Sequence, residues 1–221
     1  MKRNLSIAVI IVSFLLALQA QETIKISRSN SATIDGKIEE TEWKNAKSFD
    51  LTGGGKVFLK YDGEYLFVGV RGVSKGWSHL YLNQGEKVSI LHASAALGMT
   101  SYSQNESKLW QPANPFSWDL RDRTITAETI KKMGDYLAKN FWVANNNNMS
   151  NSSEIEFQLK PKNTDEQFFL AIVYASDAKN PQYFPVSLND DTIKEELVYG
   201  NTPNDLKFDC NKWAKISLES K

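Results

Sequence analysis

The segment from Trp110 to Arg121 combines residue types that suit binding of a carbohydrate. Its sequence, Trp-Gln-Pro-Ala-Asn-Pro-Phe-Ser-Trp-Asp-Leu-Arg, brings indole rings together with amide, carboxylate and guanidinium groups. An aromatic ring packs against the C–H face of a sugar, while planar polar groups form hydrogen bonds with its hydroxyls. Pro112 and Pro115 restrict the backbone, so the segment is predicted to form a rigid loop.

A wider set of residues in the same region is expected to complete this site. Stacking is expected on Trp110, Trp118 or Trp77, with hydroxyls bound by the polar neighbours. The candidate ligand-binding residues are Trp77, Trp110, Asn114, Trp118, Asp119 and Arg121. The alternative is that these rings pack in the core, because large aromatic residues dominate core burial. At least one tryptophan of this region, which also contains Trp142, is expected to be exposed.

The sequence has two histidines, His79 and His92, and neither has the spacing typical of a metal ligand. His-x-His, His-Glu-x-x-His and clustered Cys/His patterns, which favour zinc, are missing from the sequence. His92 lies in an apolar run and is predicted to be buried and hydrogen-bonded. No metal ligand is therefore assigned.

Cofactors and catalysis have only weak candidates. Calcium is possible at Asn189-Asp-Asp191 or at Asp119 with Asp122, although neither has the regular spacing of a calcium loop. Haem is a minor alternative, because Met99, Met133 and Met149 could pair with a histidine as axial ligands. The sequence contains neither Gly-x-Ser-x-Gly nor a phosphate-binding loop, so no catalytic residue is assigned and no enzyme is predicted.

The N-terminal residues predict export. Met1-Lys-Arg is cationic, Leu5 to Leu18 is a mostly apolar run, and Leu18-Gln-Ala20 resembles a cleavage site. This order is typical of a signal peptide, and the run is shorter than the roughly 20 residues that cross a bilayer. We predict a signal peptide over residues 1–20 and a periplasmic or extracellular chain without stable membrane insertion after cleavage.

Charge and cysteine content exclude some classes of partner and site. The sequence has 26 basic and 26 acidic residues, and removal of Lys2 and Arg3 with the signal peptide leaves a formal charge of −2. A nearly neutral chain without a basic run argues against a nucleic-acid partner. Cys210 is the only cysteine, so no internal disulfide can form. Residues 21–221 are predicted to form one domain.

Alternating apolar residues predict a mainly β protein. Val57-Phe-Leu-Lys-Tyr and Tyr65-Leu-Phe-Val-Gly-Val flank an Asp62-Gly63 turn, which is a strong hairpin signal. The more continuously apolar run Gln167–Ala175 is typical of a central strand buried on both faces. One α-helix is predicted over 127–140, capped by Thr126, with an apolar stripe of Ile130, Met133, Leu137 and Phe141. Asn145 to Asn151 is predicted to be an exposed loop.

Three motifs in the first half of the chain resemble a known family. They are Ile34-Asp-Gly, Trp43 with Ala46, and Tyr61-Asp-Gly-Glu-Tyr-Leu-Phe-Val. The pattern resembles the family 9 carbohydrate-binding modules and the wider DOMON-like domains. The resemblance implies an antiparallel β-sandwich with jelly-roll or immunoglobulin-like layers, here with one inserted α-helix near 127–140. It also implies a sugar site in which aromatic rings clamp a pyranose, with polar groups and calcium nearby.

The sequence therefore predicts an exported, non-catalytic domain that binds a carbohydrate or a related small ligand. One alternative is a periplasmic haem-binding DOMON-like domain. Another is a structural or interaction domain of the cell envelope, with a protein partner and no small ligand. The residues of the three motifs, Ile34-Asp-Gly, Trp43 and the Tyr61-Asp-Gly-Glu-Tyr hairpin, are themselves expected to be architectural.

Overall fold

The computed structural model describes residues 22–94, 96–120, 126–146, 153–176, 180–188, 193 and 202–219. The predicted signal peptide, Met149, Asp122, the segment Asn189-Asp-Asp191 and the candidate ligand-binding residue Arg121 lie outside the described residues. No helix in these ranges combines the length and the apolar character needed to span a membrane.

The described chain forms two β-sheets. The eight-stranded sheet contains β1 (Thr23–Ser27), β5 (Trp77–Gln84), β6 (Lys87–Ala93), β7 (Leu97–Gln104), β8 (Trp110–Asp119), β11 (Phe168–Ala175), β12 (Gln182–Phe184) and β13 (Ala214–Glu219). The five-stranded sheet contains β2 (Lys47–Asp50), β3 (Lys56–Tyr61), β4 (Leu66–Arg71), β9 (Trp142–Asn146) and β10 (Glu154–Leu159). The helices are α1 (Glu40–Trp43), α2 (Ala127–Asn140) and the short 3₁₀ turns Thr52–Gly54 and Cys210–Lys212.

The strand order confirms the predicted mainly β sandwich with one inserted helix. It is β1-β13-β11-β5-β6-β7-β8 in the larger sheet, with β12 also paired to β11, and β2-β3-β4-β10-β9 in the smaller. Pairing is antiparallel except between β1 and β13, which run parallel. Buried side chains of both sheets, such as Leu80, Val68 and Phe157, meet in the main hydrophobic core.

A second hydrophobic cluster covers the outer face of the eight-stranded sheet. Because side chains alternate along a strand, Tyr81 and Val173 point away from the main core. They pack with Trp110, Phe208 and Trp213, which is fully buried. The larger sheet is therefore apolar on both faces, as the continuous run in β11 predicted.

The segment Trp110–Asp119 forms a strand at the edge of the sheet, so the prediction of a rigid loop is wrong. Residues 110–119 form β8, which pairs with β7 and with no other described strand. Its register is irregular near Ser101, and the Trp110 backbone is also bridged to Leu206. Proline lacks the N–H that a central strand would donate, but it is tolerated at an edge. Pro112 and Pro115 therefore fit β8 at this position.

Helix α2 begins as predicted, but its buried face differs from the predicted stripe. The Thr126 side chain accepts a hydrogen bond from the Thr129 backbone N–H, which confirms the N-cap. Thr129 and Tyr136 are the buried residues, whereas Ile130 and Phe141 are about 60 % exposed. Phe141 has a positive φ of 62° and ends the helix, so it no longer follows the helical spacing.

Candidate functional site

A cavity of about 270 Å³ lies at the end of the sandwich beneath α2. It is partly open to solvent and is lined by residues of the loop before α1, the β6–β7 turn, the end of β8, α2 and β9. Its lining residues are Thr33, Ile34, Asp35, Ser94, Ala96, Leu97, Leu120, Thr129, Ile130, Met133, Ala144, Asn145 and Asn146. Most of this surface is apolar, with a small number of polar groups, which is the usual composition of a small-molecule site.

Each wall of the cavity follows from local structure. Met133 lies one helical turn after Thr129, so both side chains face the sheets from α2. Ala144 and Asn146 lie two residues apart on β9 and share its inner face. The cavity thus opens where α2 bridges the ends of the two sheets.

Asn146 is the most distinctive polar residue of this cavity. Its side chain is 7 % exposed, and its Nδ2 finds no hydrogen-bond partner among the described residues. A buried donor without an acceptor costs about 1–3 kcal/mol, so such groups are rare in proteins. Asn145 differs, because its Nδ2 donates to the Ile34 carbonyl at 3.2 Å.

The cavity wall formed by Asp35 is held in place by Glu156. The Oε2 atom of Glu156 accepts backbone N–H groups of Asp35 at 3.0 Å, Gly36 at 2.8 Å and Lys37 at 3.2 Å. Its Oε1 accepts the indole N–H of Trp43 at 2.9 Å. Two motifs of the family-like pattern, Ile34-Asp-Gly and Trp43, are therefore joined by one buried carboxyl group.

Burial also controls the protonation of Glu156. The side chain is fully buried, and burial raises the pKa of Glu156 to about 8. The hydrogen bonds from Gly36 and Trp43 lower the pKa and oppose this rise, and the nearby carboxylate of Asp35 adds to it. Glu156 is thus a positioning residue for the loop and does not line the cavity.

An aromatic group lies between the two sheets beneath α2. Tyr136 of α2 packs edge-to-face on Trp142, with ring centroids 5.4 Å apart. The indole N–H of Trp142 points to the Met99 sulfur at 3.2 Å. Burial, with a smaller contribution from Asp119, raises the pKa of Tyr136, so its hydroxyl stays neutral at physiological pH. This packing fixes α2 against the sheets.

The tryptophans of the predicted binding region have different environments. Trp110 is 4 % exposed and packs against Phe208, so its ring face is not available for stacking on a sugar. Trp142 is also buried, and Trp77 is half-buried. Trp118 is 37 % exposed, which confirms that at least one tryptophan of the region reaches the surface.

Trp118 has exposed polar neighbours on the same strand. Asn114 and Asp119 are both exposed, and the Asn114 Nδ2 donates to the Ser101 hydroxyl at 2.9 Å. The Trp118 ring packs edge-on against Phe116, with centroids 4.9 Å apart.

Asp119 follows Trp118 directly and accepts a hydrogen bond from the Ser117 hydroxyl, so it lies on the other face of β8. Ser101, the partner of Asn114, alternates with Leu97 and Met99 of the main core, whereas Trp118 packs on His92 at the outer face. The structure thus places the three residues on one edge strand but not on one face, and it buries Trp110.

The two histidines form a buried pair on the outer face of the larger sheet. His79 and His92 are paired across β5 and β6, with His92 Nδ1 and His79 Nε2 3.4 Å apart. Burial, followed by the proximity of His92, lowers the pKa of His79 well below its usual value. The predicted burial and hydrogen bonding of His92 are confirmed, and Trp118 packs on its ring at 4.9 Å.

The described methionines, Met99 and Met133, do not share a pocket with the two histidines. Met99 lies against Trp142 in the main core, whereas His79 and His92 lie on the opposite face of the same sheet. Met133 lines the α2 cavity, whose described lining contains no histidine. In the described ranges, no three His, Cys, Asp or Glu side chains cluster closely enough to hold a metal ion.

Sequence reasoning missed the residues that define the cavity. The Asn145–Asn151 run was predicted to be an exposed loop, yet Asn145 and Asn146 belong to β9 and line the cavity. In the sequence, Asp35 is marked only as part of the Ile34-Asp-Gly motif. No local pattern marks these residues, because the cavity assembles from segments far apart in the chain.

Comparison of this chain with protein-family models, curated proteins and solved structures gave no match. The resemblance to family 9 carbohydrate-binding modules and DOMON-like domains therefore remains a prediction from sequence.

Proposed function

We propose that this protein is an exported, non-catalytic domain that binds a small molecule in the cavity beneath α2. The observation that carries the proposal is a largely apolar cavity of about 270 Å³ with a few polar groups converging on it. A well-formed apolar pocket with convergent polar groups is the usual form of a ligand site. Export, to the periplasm or beyond the cell, is supported by the signal-like N-terminal sequence.

The size of the cavity limits the ligand. A dry cavity of about 150 Å³ is enough to bind benzene, so this one admits a substituted ring or a branched chain of similar bulk. It is slightly smaller than the range of about 300–1,000 Å³ that is typical of drug-sized ligands. A small organic molecule fits these dimensions better than an oligosaccharide.

Filling the cavity is expected to prevent binding. Ala144→Leu adds three carbons to a buried cavity wall, and it should abolish the amide chemical-shift changes that ethylbenzene or acetophenone causes around Met133. The measurement is an NMR titration of the ¹⁵N-labelled protein. Ala113→Leu, the same change at an exposed position of β8, is the matched control and should bind as the native protein does.

A second variant avoids changes in the core. Ile130 is 60 % exposed and lies at the cavity, so Ile130→Glu should fold normally while placing a charge at the entrance. Binding of ethylbenzene is expected to weaken several-fold. Titrations in which neither probe shifts the cavity amides of the native protein would overturn the proposal.

Carbohydrate binding on β8 is a second candidate. It is favoured by the exposed Trp118 ring, which Phe116 and His92 hold in place. An exposed, rigid aromatic ring suits stacking on the C–H face of a sugar. This site would act independently of the α2 cavity.

The carbohydrate candidate has a direct test. Trp118→Ala should abolish retardation of the protein in glycan-containing native gels, whereas Phe141→Ala, another exposed aromatic residue, should have no effect. Circular dichroism checks that both variants are folded. Equal mobility of the native protein and Trp118→Ala on every glycan tested would exclude this candidate.

A further inference from the structure

We infer that the exposed apolar face of α2 binds the same face of a second copy of this chain, with the two helices packed antiparallel around Gly134. The inference does not depend on ligand binding in the α2 cavity. It rests on three properties of the helix, namely the apolar residues of this face, the glycine at its centre and the charges along one flank.

The face is apolar and open to solvent. Its exposed residues recur at intervals of three or four along α2, so they share one side of the helix. They are Ala127, Ile130, Gly134 and Ala138. Ile130 is 60 % exposed, and Phe141, which ends the helix, is 59 % exposed. A large exposed apolar residue thus lies near each end of α2, and contiguous apolar surface of this kind is typical of an interaction site.

Gly134 allows a second helix to approach the middle of the face. Among the described residues, no atom of a neighbouring element lies within 4 Å of the position that a Cβ would take on Gly134. Glycine weakens a helix relative to alanine, and packing within one copy does not require it at this position. The distance between two packed helices depends on the side chains at their contact, so glycine at the crossing point permits a close one.

An antiparallel pair centred on Gly134 is complementary in residue size. Residues equally far from Gly134 in the two copies lie at the same level along the helix axes. Ile130 of one copy is therefore level with Ala138 of the other, and Phe141 is level with Ala127. Each large residue is level with a small one, which suits the self-complementary packing of a two-fold interface.

The charges beside the face favour the antiparallel arrangement. Lys131 and Asp135 are exposed and lie on one flank of the face, whereas Met133 and Leu137 lie on the other. In an antiparallel pair the charged flank faces itself, and Lys131 of one copy is within about 3 Å, along the axis, of Asp135 of the other. The two-fold axis generates this pair of opposite charges twice. A parallel pair would instead place the charged flank against the apolar one.

The size of the face implies a weak, reversible dimer. A helix of 14 residues is about 21 Å long, so it covers only part of the roughly 800 Å² that each partner buries in a standard interface. The test is sedimentation velocity of the native protein between about 10 µM and about 1 mM, a range that detects weak association. The sedimentation coefficient should rise with concentration towards that of a dimer.

Charge reversal tests the arrangement of the two helices. Lys131→Asp and Asp135→Lys each bring like charges together, so each should weaken self-association about 5-fold. An equimolar mixture of the two variants restores both pairs of opposite charges and should associate as the native protein does. Lys108→Asp makes the same change in the exposed turn between β7 and β8, and it should leave association unchanged.

Gly134→Leu tests the close approach. Leucine favours a helix more than glycine, and its side chain would point to solvent in the monomer, so this variant should fold but form no dimer at about 1 mM. Circular dichroism measures its helix content. A native protein that is monomeric throughout the concentration range would overturn the inference and leave the face to a different partner. A mixture of the two charge variants that associates no better than either alone, or a dimeric Gly134→Leu, would overturn it as well.

Discussion

Trp110→Ala is expected to lower the free energy of unfolding by about 3–5 kcal/mol, the usual cost of removing a large buried aromatic side chain. Trp110 is 4 % exposed and lies in the outer cluster, where its ring contacts Phe208 at a centroid distance of 6.0 Å. Its backbone also pairs with Leu206, so truncation weakens the contact between β8 and the covering segment. Urea denaturation followed by circular dichroism measures the change.

The matched control is Trp118→Ala on the same strand. Trp118 is 37 % exposed, so its removal is expected to cost only about 1 kcal/mol. The sequence predicts instead that Trp110 is a stacking residue of a ligand site. A Trp110→Ala variant as stable as Trp118→Ala would support that prediction and contradict the buried position.

Glu156→Ala is expected to destabilise the protein by about 3 kcal/mol or more. Four N–H groups donate to this carboxyl group, namely three backbone amides of the loop at residues 35–37 and the indole of Trp43. Alanine removes the acceptor of the Asp35, Gly36 and Trp43 N–H groups, whereas the Lys37 N–H keeps its bond to the Asp35 carboxylate. Because the same loop forms one wall of the cavity, acetophenone binding should weaken in parallel.

Glu156→Gln separates the two sets of hydrogen bonds. Its oxygen can still accept the loop amides, but its NH₂ group then faces the Trp43 indole N–H, so a smaller loss of about 1–2 kcal/mol is expected. Glu64→Gln changes an exposed carboxylate that pairs with Lys160 and should leave stability unchanged. Equal stability of the Glu156→Ala and native proteins would refute the assigned role.

The pH dependence of stability gives an independent test of the same group. Because burial raises the pKa of Glu156 from 4.5 to about 8, the folded state binds this proton more tightly than the unfolded state. This contribution to stability is therefore complete below pH 4.5, falls as the pH rises, and is lost above about 8. Glutamine does not titrate, so the free energy of unfolding of Glu156→Gln, measured by urea denaturation at several pH values, should lack this pH-dependent contribution.

Features fixed by neighbouring residues were predictable from sequence. The hairpin between β3 and β4 follows from the Asp62-Gly63 turn, in which Gly63 takes a φ of 107° and Asp62 accepts the N–H groups of Glu64 and Tyr65. Helix α2 follows from its Thr126 cap and from a sequence without internal proline. These signals act within a few residues and need no tertiary information.

Features decided by distant contacts were not predictable. Two prolines made β8 resemble a loop, because nothing local shows that the strand lies at a sheet edge. The polar run after Ala144 resembled an exposed loop, although pairing with β10 buries Asn146. The cavity depends on contacts between segments more than 100 residues apart, such as Asp35 with Glu156.

The double-sided burial of β11 makes its register unusually important. Leu170 and Ile172 belong to the main core, whereas Ala171 and Val173 belong to the outer cluster. A shift of one residue along this strand would exchange the two sets and mismatch both cores at once. The register of β11 therefore sets the position of the main core and of the outer cluster relative to each other.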